Sequence, residues 1–561
     1  MSLSMHKFCS SILTIGLIAI IFACAKQTSP TGGPKDTIPP RLINSLPRHE
    51  ALNSNPTTIT LEFTEHIILA NPKEQIIITP DIQKKYEITA KRTRVIMQLE
   101  NKLDSNTTYS INFRDAVQDI TEKNPARNLR LAFSTGSYID SLSISGTVRD
   151  LFQNKEVKDA TVALFQSDTF DIFKHKPVYL TKTNDKGEYS IENLKHGIYY
   201  IYAFDDKNRN LIVDSKSEVY GFRADSLNLD QSVENINIFT TKLDARPLTI
   251  TSARPNNTYF NIRTSKGLHD YEILSPANDT LYTTFGEDRA NIRIYNTLPQ
   301  RDSSAIQFLA RDSLGNTIDT TLYVKFSQRQ TRPESFSAKI DQTTLLARTA
   351  QFTARASITK PITEINYDSA LIQLDSVNTL TFLPEEITVD NKNRTIDFQK
   401  AIPRTHLRNE ATTPQQVAQA QTSAPKISIS IYFGKGTFRS VENDSSAVIS
   451  QSLRPIYYED TGLIIAAVNT DRPNWIIQLT DKSYKVIRQS INQKQVTFND
   501  LPPGDYFLRA VDDTDGDGAW TPGNFYEKRE PERIHYYSNE KQVPLITLKA
   551  NFELGPLLIT F

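Results

Sequence analysis

The chain has 561 residues, and its 64 Lys and Arg residues balance its 64 Asp and Glu residues, so the formal net charge is zero. This balance argues against a nucleic-acid-binding protein, which needs a basic field to neutralise phosphates. Hydrophobic residues make up only 38% of the chain, which fits several small domains, and the length predicts roughly four to six of them at about 100 to 150 residues each.

The first 24 residues indicate export. The cationic pair His6-Lys7 precedes an apolar stretch at 12–22, which is too short to cross a bilayer and is typical of a signal peptide. The stretch ends in Ile21-Phe22-Ala23-Cys24, which resembles a bacterial lipobox. That resemblance implies removal of residues 1–23 and acylation of Cys24; the alternative is an ordinary cleaved signal with a chance cysteine.

Cysteine usage favours the lipobox. Cys9 lies inside the signal, so Cys24 is the one cysteine left after cleavage, and internal disulfides are excluded. Ala25 follows it, whereas Asp there would resemble an inner-membrane retention signal. We therefore predict a lipid-anchored outer-membrane protein, with residues 24–37 as lipidated cysteine and flexible tether. The sequence leaves open whether it faces the periplasm or the cell surface.

Residues 38–137 alternate apolar and polar side chains, as in Ile59, Leu61 and Phe63, which is the period of a half-buried strand. Turn sequences separate several such runs, and this spacing predicts an antiparallel sandwich. Pro39-Pro40, Asn106-Thr-Thr-Tyr109 and the closing 131–136 segment resemble the bacterial Ig-like domain. One turn departs from the family pattern, because Asn124-Pro125 stands where Gly-Asn is usual.

Residues 138–245 carry a second pattern, with Ile144-Ser-Gly-Thr-Val148 and Asn184-Asp-Lys-Gly187 among its motifs. It resembles the carboxypeptidase-regulatory-like, transthyretin-like sandwich, a module that implies no peptidase activity. A constant offset along the chain aligns this block with the C-terminal region, for example Gly197 with Gly504 and Tyr199 with Tyr506. We therefore predict a first repeat at 138–245 and a second repeat at 461–561, the latter including a C-terminal tail.

Two further β-patterned blocks, 246–332 and 333–460, separate the repeats, and we assign them to no family from the sequence. The segment 409–425 is rich in Gln, Ala and Thr and lacks periodicity, so it is predicted to be a mobile loop. The predicted fold class is therefore all-β: tandem antiparallel β-sandwiches, Ig-like and transthyretin-like, after a lipoprotein signal peptide.

One motif in the second repeat points to metal chemistry. Asp513, Asp515 and Asp517 alternate and are followed by Gly518, which matches the start of an oxygen-rich calcium loop. Thr521 and Glu527 complete the predicted ligands, since Asn524 occupies the position of the usual final acid. A plain Asp/Gly turn is the alternative. Any Ca²⁺ here is expected to be structural.

The first repeat carries a weaker version of the same spacing. It consists of Asp206, Asn208, Asn210 and Asp214, with fewer charges and without the glycine. Lys207 and Arg209 add positive charge that disfavours a cation.

Catalytic patterns are absent from the sequence. The eight histidines are scattered without zinc spacing, and no G-x-S-x-G, P-loop or C-x-x-C motif occurs. Trp475, Trp520 and the tyrosines of 199–202 could stack on sugars, although such aromatics more often fill a core. We predict no enzymatic activity.

A short Asp-Ser/Thr motif recurs before apolar residues or Ala. It resembles the periplasmic O-glycosylation acceptor of Bacteroidota proteins, with loop turns as the alternative. The acceptor residues would be Thr37, Ser141, Ser226, Thr280, Ser313, Ser369 and Ser376.

The sequence therefore predicts a non-catalytic envelope lipoprotein, a multidomain binding or scaffold protein in an outer-membrane assembly. Its expected partners are the membrane, through the lipid, and outer-membrane proteins or other lipoproteins. The alternative is a carbohydrate-binding or glycan-processing surface lipoprotein, or an adhesin.

Overall fold

The computed structural model describes residues 35–82, 85–256, 258–274, 281–297, 303–326, 334–407, 429–539 and 544–561. The signal peptide, Cys24, Thr280 and the 409–425 loop lie outside these ranges. Within them, no helix is long and apolar enough to span a bilayer. The chain divides into two compact units, Met1–Ser141 with Glu192–Leu194, and Leu142–Ile191 with Lys195–Phe561.

The first unit is an antiparallel sandwich, as the alternation predicts. Ile59, Leu61 and Phe63 all point into its core, together with Val95 and Met97 of a neighbouring strand. Its elements are β1 (Leu42–Leu46), β2 (Thr58–Phe63), β3 (Ile67–Leu69), α1 (Pro72–Gln75), β4 (Ile77–Thr79), β5 (Tyr86–Lys91), β6 (Arg94–Leu99), β7 (Thr108–Asn112), β8 (Val117–Asp119) and β9 (Arg130–Ser134). The sheet orders are β1-β2-β6-β5, β4-β7-β9 and β3-β8.

A buried carboxylate, Asp119, organises the turn that follows β8. Its Oδ1 accepts hydrogen bonds from the Thr121 hydroxyl (3.1 Å) and the Glu122 and Lys123 amides (2.7 and 2.8 Å), and its Oδ2 accepts one from the Asn124 amide (3.1 Å). Burial raises the pKa of Asp119, but the hydrogen bonds from this turn outweigh it and lower the pKa to about 2. The folded domain therefore holds this side chain as a carboxylate.

The Asp119 turn predicts how the stability of the first unit depends on pH. Because the folded pKa lies below the ordinary value of about 3.9, the turn's contribution is complete above about pH 4 and is lost as the pH falls towards 2. We expect the urea concentration at which the first unit is half unfolded to decrease as the pH falls from about 4 towards 2. Pulsed hydrogen exchange of peptides 108–134 measures this concentration. Asp119→Ala should reduce this dependence of the urea midpoint on pH. The control Asp115→Ala, at an exposed side chain, should leave the dependence unchanged. An unchanged profile for Asp119→Ala would contradict this assignment.

The second unit begins with the first repeat, a sandwich of a three-stranded and a five-stranded sheet. Its orders are β13-β10-β17 and β12-β11-β14-β15, with β16 also pairing with β14. The strands are β10 (Leu142–Asp150), β11 (Thr161–Phe165), β12 (Tyr179–Lys182), β13 (Glu188–Leu194), β14 (Gly197–Phe204), β15 (Tyr220–Phe222), β16 (Leu227–Leu229) and β17 (Ile238–Thr240).

The two middle domains are also β-sandwiches in the described ranges. The third domain contains β18 (Ile250–Asn256), β19 (Tyr259–Thr264), β20 (Asp270–Leu274), β21 (Thr283–Phe285), β22 (Asn291–Tyr295), β23 (Ser304–Arg311) and β24 (Thr317–Val324). The fourth contains β25 (Ala338–Leu346), β26 (Gln351–Ile358), β27 (Ile362–Ile365), β28 (Ala370–Gln373), β29 (Thr379–Thr381), β30 (Ile387–Asp390), β31 (Thr395–Ala401), β32 (Ile429–Phe433), β33 (Phe438–Ser440) and β34 (Ile449–Leu453). Short 3₁₀ turns lie at Tyr367–Ser369, Pro384–Glu386, Arg404–His406 and Tyr458–Asp460.

The second repeat has the same topology as the first. Its sheets are β38-β35-β42 and β37-β36-β39-β40, with β41 also pairing with β39. The strands are β35 (Gly462–Asn469), β36 (Trp475–Asp481), β37 (Val486–Ile491), β38 (Gln495–Leu501), β39 (Gly504–Asp512), β40 (Ile534–Tyr536), β41 (Leu545–Leu548) and β42 (Glu553–Thr560). The sequence alignment of the repeats places β14 on β39 from the first residue, Gly197 on Gly504.

The central strands of the five-stranded sheet, β11 and β14 in the first repeat and β36 and β39 in the second, are buried on both faces over most of their length. In β36, Ile477 and Leu479 belong to the repeat's own core, whereas Ile476 points the other way. Ile476 joins Val511 and Ile534 against Leu151 of the first repeat, so the two repeats pack together. This explains why Trp475-Ile-Ile at the start of β36 does not alternate with polar residues, because successive side chains of a sheet covered on both sides are all buried.

A turn of the third domain also enters this junction. Leu314, between β23 and β24, is buried in the cluster formed by Phe222 and Leu243 of the first repeat. Phe525 of the second repeat packs on the same cluster, with its ring centroid 5.7 Å from those of Tyr202 and Phe222. The two repeats, which are distant in sequence, therefore share an apolar junction with the third domain.

Candidate functional site: an acidic loop at the junction of the repeats

The predicted calcium loop follows β39 and leads directly into the junction. The Asp513 carboxylate is 1% exposed. It accepts hydrogen bonds from the Gly516 amide at 2.9 Å and the Gly518 amide at 3.1 Å. Both glycines have positive φ angles, 73° and 76°, a backbone conformation that glycine adopts at little cost. The loop is thus wrapped around one buried carboxylate.

Asp515 and Thr521 face each other across the loop. The Thr521 hydroxyl donates to Asp515 Oδ2 at 2.8 Å, and this hydrogen bond lowers the pKa of Asp515. Asp517 is exposed and accepts a hydrogen bond from the Ala519 amide at 2.7 Å.

Sequence reasoning missed the third carboxylate of the site, which belongs to Glu532. Oxygen atoms of Asp513, Asp515 and Glu532 lie within 4.8 Å of one another, the one such acidic group found among the described residues. Glu527, the predicted final ligand, instead lies next to Arg529, with a 3.4 Å separation between their charged groups. The group contains neither Glu527 nor Asp517. Glu532 lies too far along the chain from Asp513 for a loop pattern to single it out.

Glu532 is 4% exposed and fastens both ends of the loop. Its Oε1 accepts from the Thr514 amide at 2.6 Å, and its Oε2 accepts from the Thr521 amide at 2.9 Å. Burial raises the pKa of Glu532, and these hydrogen bonds oppose that rise. Carboxylate oxygens are the ligands that Ca²⁺ prefers, so Asp513, Asp515 and Glu532 are the residues that could hold a cation here.

The first repeat contains the same loop with weaker ligands. Asp206 accepts from the Asn210 amide at 3.0 Å and the Leu211 amide at 3.2 Å. A buried acid again fastens the loop, because Glu218 accepts from the Lys207 and Asp214 amides at 2.9 and 2.8 Å. Glu218 is thus the counterpart of Glu532, and the sequence pattern missed it too.

The remaining predicted ligands of the first loop are occupied locally. Asn208 and Asn210 accept hydrogen bonds from the amides of Asn210 and Ile212 at 3.0 and 2.7 Å. Asp214 accepts from the Ser217 hydroxyl at 2.7 Å, which lowers its pKa. The side-chain amides of Asn208 and Asn210 therefore stand where the second repeat has carboxylates. The lower negative charge makes the first loop a weaker candidate for binding a cation.

The first loop also keeps the backbone shape without glycine. Arg209 and Leu211, with φ of 60° and 62°, occupy the positions of Gly516 and Gly518. Side chains in this left-handed region cost roughly 1 to 2 kcal/mol per residue. The loop shape is therefore imposed by the carboxylate bonds and by packing.

The loop of the second repeat is part of the packing between repeats. The ring of Trp520 lies 4.7 Å, centroid to centroid, from that of Phe152 in the first repeat, and its indole N–H donates to the Glu532 carbonyl at 3.1 Å. Beyond the loop, Glu530 accepts from the Ala224 amide at 3.0 Å. The acidic loop and the contact between repeats are consequently one structural feature.

The other sequence candidates lie in different places. Of the aromatic residues considered for sugar stacking, Trp475, Tyr199 and Tyr202 are buried in the interior. Five candidate acceptors of glycan are exposed: Thr37, Ser141, Ser226, Ser313 and Ser376. Ser369 is only partly exposed and bonds through its hydroxyl to the Asn366 carbonyl and the Thr437 hydroxyl.

Comparison with protein-family models identifies residues 36–135 as a bacterial Ig-like domain. No curated protein matches the chain. Among solved structures, the major pilin subunit BcpA of Bacillus cereus matches at 11% identity over 75% of this chain and 99% of its own, with a TM-score of 0.13. The Bacillus anthracis TIE protein matches at 9% identity over 95% and 76%, with a TM-score of 0.12. The human desmocollin-1 ectodomain matches at 12% identity over 72% and 77%, with a TM-score of 0.12. These scores are too low to carry an argument about function.

Proposed function

We propose that the protein is a non-catalytic cell-envelope lipoprotein, held at the outer membrane by a lipid on Cys24, that acts as a multidomain scaffold. Its partners would be outer-membrane proteins or other lipoproteins. The observation that carries this proposal is the packing of the two repeats on each other although they are distant in sequence, with Leu314 of the third domain buried in the same junction. A chain built from independent binding modules has no need of such packing, whereas a scaffold benefits from fixed positions of its domains.

The buried charges of the junction support the same interpretation. Lys266 of the third domain pairs with Asp312 at 2.5 Å, with side chains only 6% and 1% exposed. It also donates to the Asp244 carbonyl, at the end of the first repeat, at 2.9 Å. Directional bonds at a buried junction restrict the relative orientation of the domains that they join.

Capture of the tagged, lipid-bearing protein from gently solubilised envelopes tests the scaffold proposal. We expect stoichiometric recovery of an outer-membrane protein or another lipoprotein, and recovery should fall sharply for Cys24→Ser, which cannot be acylated. Mass spectrometry of the N-terminal peptide checks the acylation itself. Recovery of the protein alone, with turnover of a glycan in broad activity assays, would contradict the proposal.

A structural Ca²⁺ at Asp513, Asp515 and Glu532, with Thr521 nearby, is part of this proposal. Extracellular modules of this class bind with Kd values of about 10⁻⁴ to 10⁻³ M. At about 10 mM Ca²⁺, such affinity stabilises the native state by roughly 1.4 to 2.7 kcal/mol. We expect Tm to rise in Ca²⁺ relative to chelator, and Glu532→Gln to abolish the rise.

Glu527→Gln is the matched control, since that side chain pairs with Arg529 outside the group. It should retain the full calcium-dependent rise in Tm. Equal Tm values in Ca²⁺ and chelator for the parent protein would rule out the calcium site. Loss of the rise in Glu527→Gln alone would return the final ligand to the position expected from the sequence.

The exposed Asp-Ser/Thr positions would then serve as glycan acceptors on this scaffold. Glycan at Ser226 or Ser376 would be detected by mass spectrometry of protein from its native envelope.

A further inference from the structure

The first unit exposes an apolar strip along its N-terminal edge. We define the N-terminal strip as Ile38, Leu42, Ile43, Leu46 and Leu52. Ile38, Ile43 and Leu46 are 62%, 64% and 68% exposed, and Leu42 and Leu52 are 37% and 48% exposed. Five large aliphatic side chains are thus exposed within one short stretch of the chain, and a group of exposed apolar side chains of this kind is a candidate for contact with another apolar surface.

The register of β1 places two of these side chains away from the core. Ser45 lies opposite Leu61 and is buried, so it is the serine that faces inward. Leu46 lies opposite Thr60, on the outer face of the sheet. Ile43 is the extra residue of an irregularity between Leu42 and Asn44, which pair with Phe63 and Glu62. At Ile43 and Leu46 the strand therefore presents apolar side chains outward, and at Ser45 a polar one inward, the reverse of what its own core requires. Leu42 lies opposite the core residue Phe63 and is the least exposed of the five.

The same irregularity argues against an added strand as the occupant. β1 is an edge of its sheet, and a regular edge could accept a partner strand. Bulges interrupt the row of edge hydrogen-bonding groups and are a common defence against such pairing. The exposed feature is thus a set of side chains, not an open backbone edge.

Position and charge favour a lipid surface. The strip begins at Ile38, shortly after Cys24, and the intervening chain spans at most about 50 Å when extended. Exposed Arg41 and Arg48 bracket the apolar side chains of β1. Between Lys35 and Leu52, three Lys and Arg residues stand against two acidic residues, Asp36 and Glu50. Aliphatic side chains flanked by arginines are typical of segments that lie in a membrane interface.

We propose that the N-terminal strip is a second membrane contact. Ile43 and Leu46 enter the interfacial layer of the bilayer, and Arg41 and Arg48 meet lipid phosphates. The inference deepens the proposed function, since it rests on a lipid at Cys24 to bring the strip to the membrane. The N-terminal strip would fix which side of the first unit contacts the bilayer. A lipid on Cys24 alone would attach the protein without fixing that side.

Vesicle flotation of a lipid-free protein tests the strip independently of acylation. The protein begins at residue 24 and carries Cys24→Ser, and the vesicles contain phosphatidylethanolamine with one-quarter phosphatidylglycerol at several millimolar lipid. We expect the double variant Ile43→Ser/Leu46→Ser to lower the bound-to-free ratio by about tenfold, because two aliphatic side chains no longer leave water. The matched control Tyr323→Ser/Val377→Ser removes two side chains that are 69% and 84% exposed elsewhere, and it should bind like the parent.

A fluorescent probe separates contact from an effect on folding. After Cys24→Ser the chain lacks cysteine, so Ile43→Cys carries one environment-sensitive dye. Its emission should shift to the blue on adding vesicles, whereas a dye at Val377→Cys should not respond. Flotation equal in the parent and the strip variant, or no shift at position 43, would overturn the proposal.

The alternative is that a second copy of the chain covers the N-terminal strip. Sedimentation velocity distinguishes such a dimer from a contact with the membrane. A concentration-dependent dimer of the lipid-free parent that the strip variant loses, with no vesicle binding, would assign the strip to a second copy and reject the membrane contact. If Cys24 is not acylated but the lipid-free protein still floats through the strip, the anchor fails while the strip's membrane affinity stands.

Discussion

Replacing Asp312 with Ala is expected to destabilise the third domain by about 3 to 5 kcal/mol, the cost of leaving a buried charge without its partner. Asp312 is the carboxylate that pairs with the buried Lys266. It also accepts hydrogen bonds from the Leu314 and Asn316 amides at 2.9 and 2.8 Å. The substitution therefore removes the counter-ion and the acceptor that shapes the turn carrying Leu314 into the junction.

Pulsed hydrogen exchange after equilibration in urea measures this effect in peptides 304–324, and in peptides 387–401 of the fourth domain for the control. Asp397→Ala is the matched control, because the Arg355–Asp397 pair is 60% and 46% exposed and such surface pairs contribute at most about 1 kcal/mol. Asp312→Asn keeps an oxygen that can accept the hydrogen bonds of the turn. Its loss of stability should therefore lie between those of Asp312→Ala and Asp397→Ala. Equal shifts of the urea midpoint for Asp312→Ala and Asp397→Ala would show that the buried pair has no special role.

Leu151→Asp is expected to separate the two repeats while leaving their own cores intact. Leu151 is 2% exposed and packs with Ile476, Val511 and Ile534. Burying a carboxylate there without a partner costs several kcal/mol. We expect this cost to exceed the free energy that holds the two repeats together. The second repeat keeps a separate cluster of its own around Ile464 and Leu508, so opening the interface is the easier response.

Tryptophan quenching detects the opening. The chain has two tryptophans, and Trp475 lies in the second repeat's own core whereas Trp520 contacts Phe152 across the interface. Iodide quenching should rise in Leu151→Asp because Trp520 becomes accessible. Leu558→Asp, at a side chain that is 54% exposed, should leave quenching unchanged. If Leu151→Asp quenches like the parent, the repeats are not held by this cluster.

Much of the fold could be predicted from local pattern. Alternation over Ile59, Leu61 and Phe63 is decisive because a strand with one buried face has a period of two. The constant offset between the repeats likewise predicts two domains of one topology, since Gly197 and Gly504 begin equivalent strands. The all-β fold class and the Ig-like domain at the N-terminus are confirmed.

What the pattern could not supply was contact between distant segments. Glu532 and Glu218 enter their loops from beyond the motif, and nothing local distinguishes them from surface acids such as Glu527. One feature of the sequence does reflect the packing of the repeats. It is the apolar run Trp475-Ile-Ile at the start of β36, in which apolar and polar residues do not alternate. A run that abandons alternation indicates a sheet covered on both faces, but it does not identify the cover.

The junction of the repeats also sets an order of events during synthesis. The first repeat emerges early, yet Phe222 and Leu151 gain their cover only when residues 475–534 have been made. Translation proceeds at about 5 to 20 residues per second, so an apolar surface stays open for roughly 15 seconds or more. Such surfaces are prone to aggregate. A chaperone that holds the nascent or exported chain is therefore expected to bind the first repeat, and release should follow completion of the second repeat.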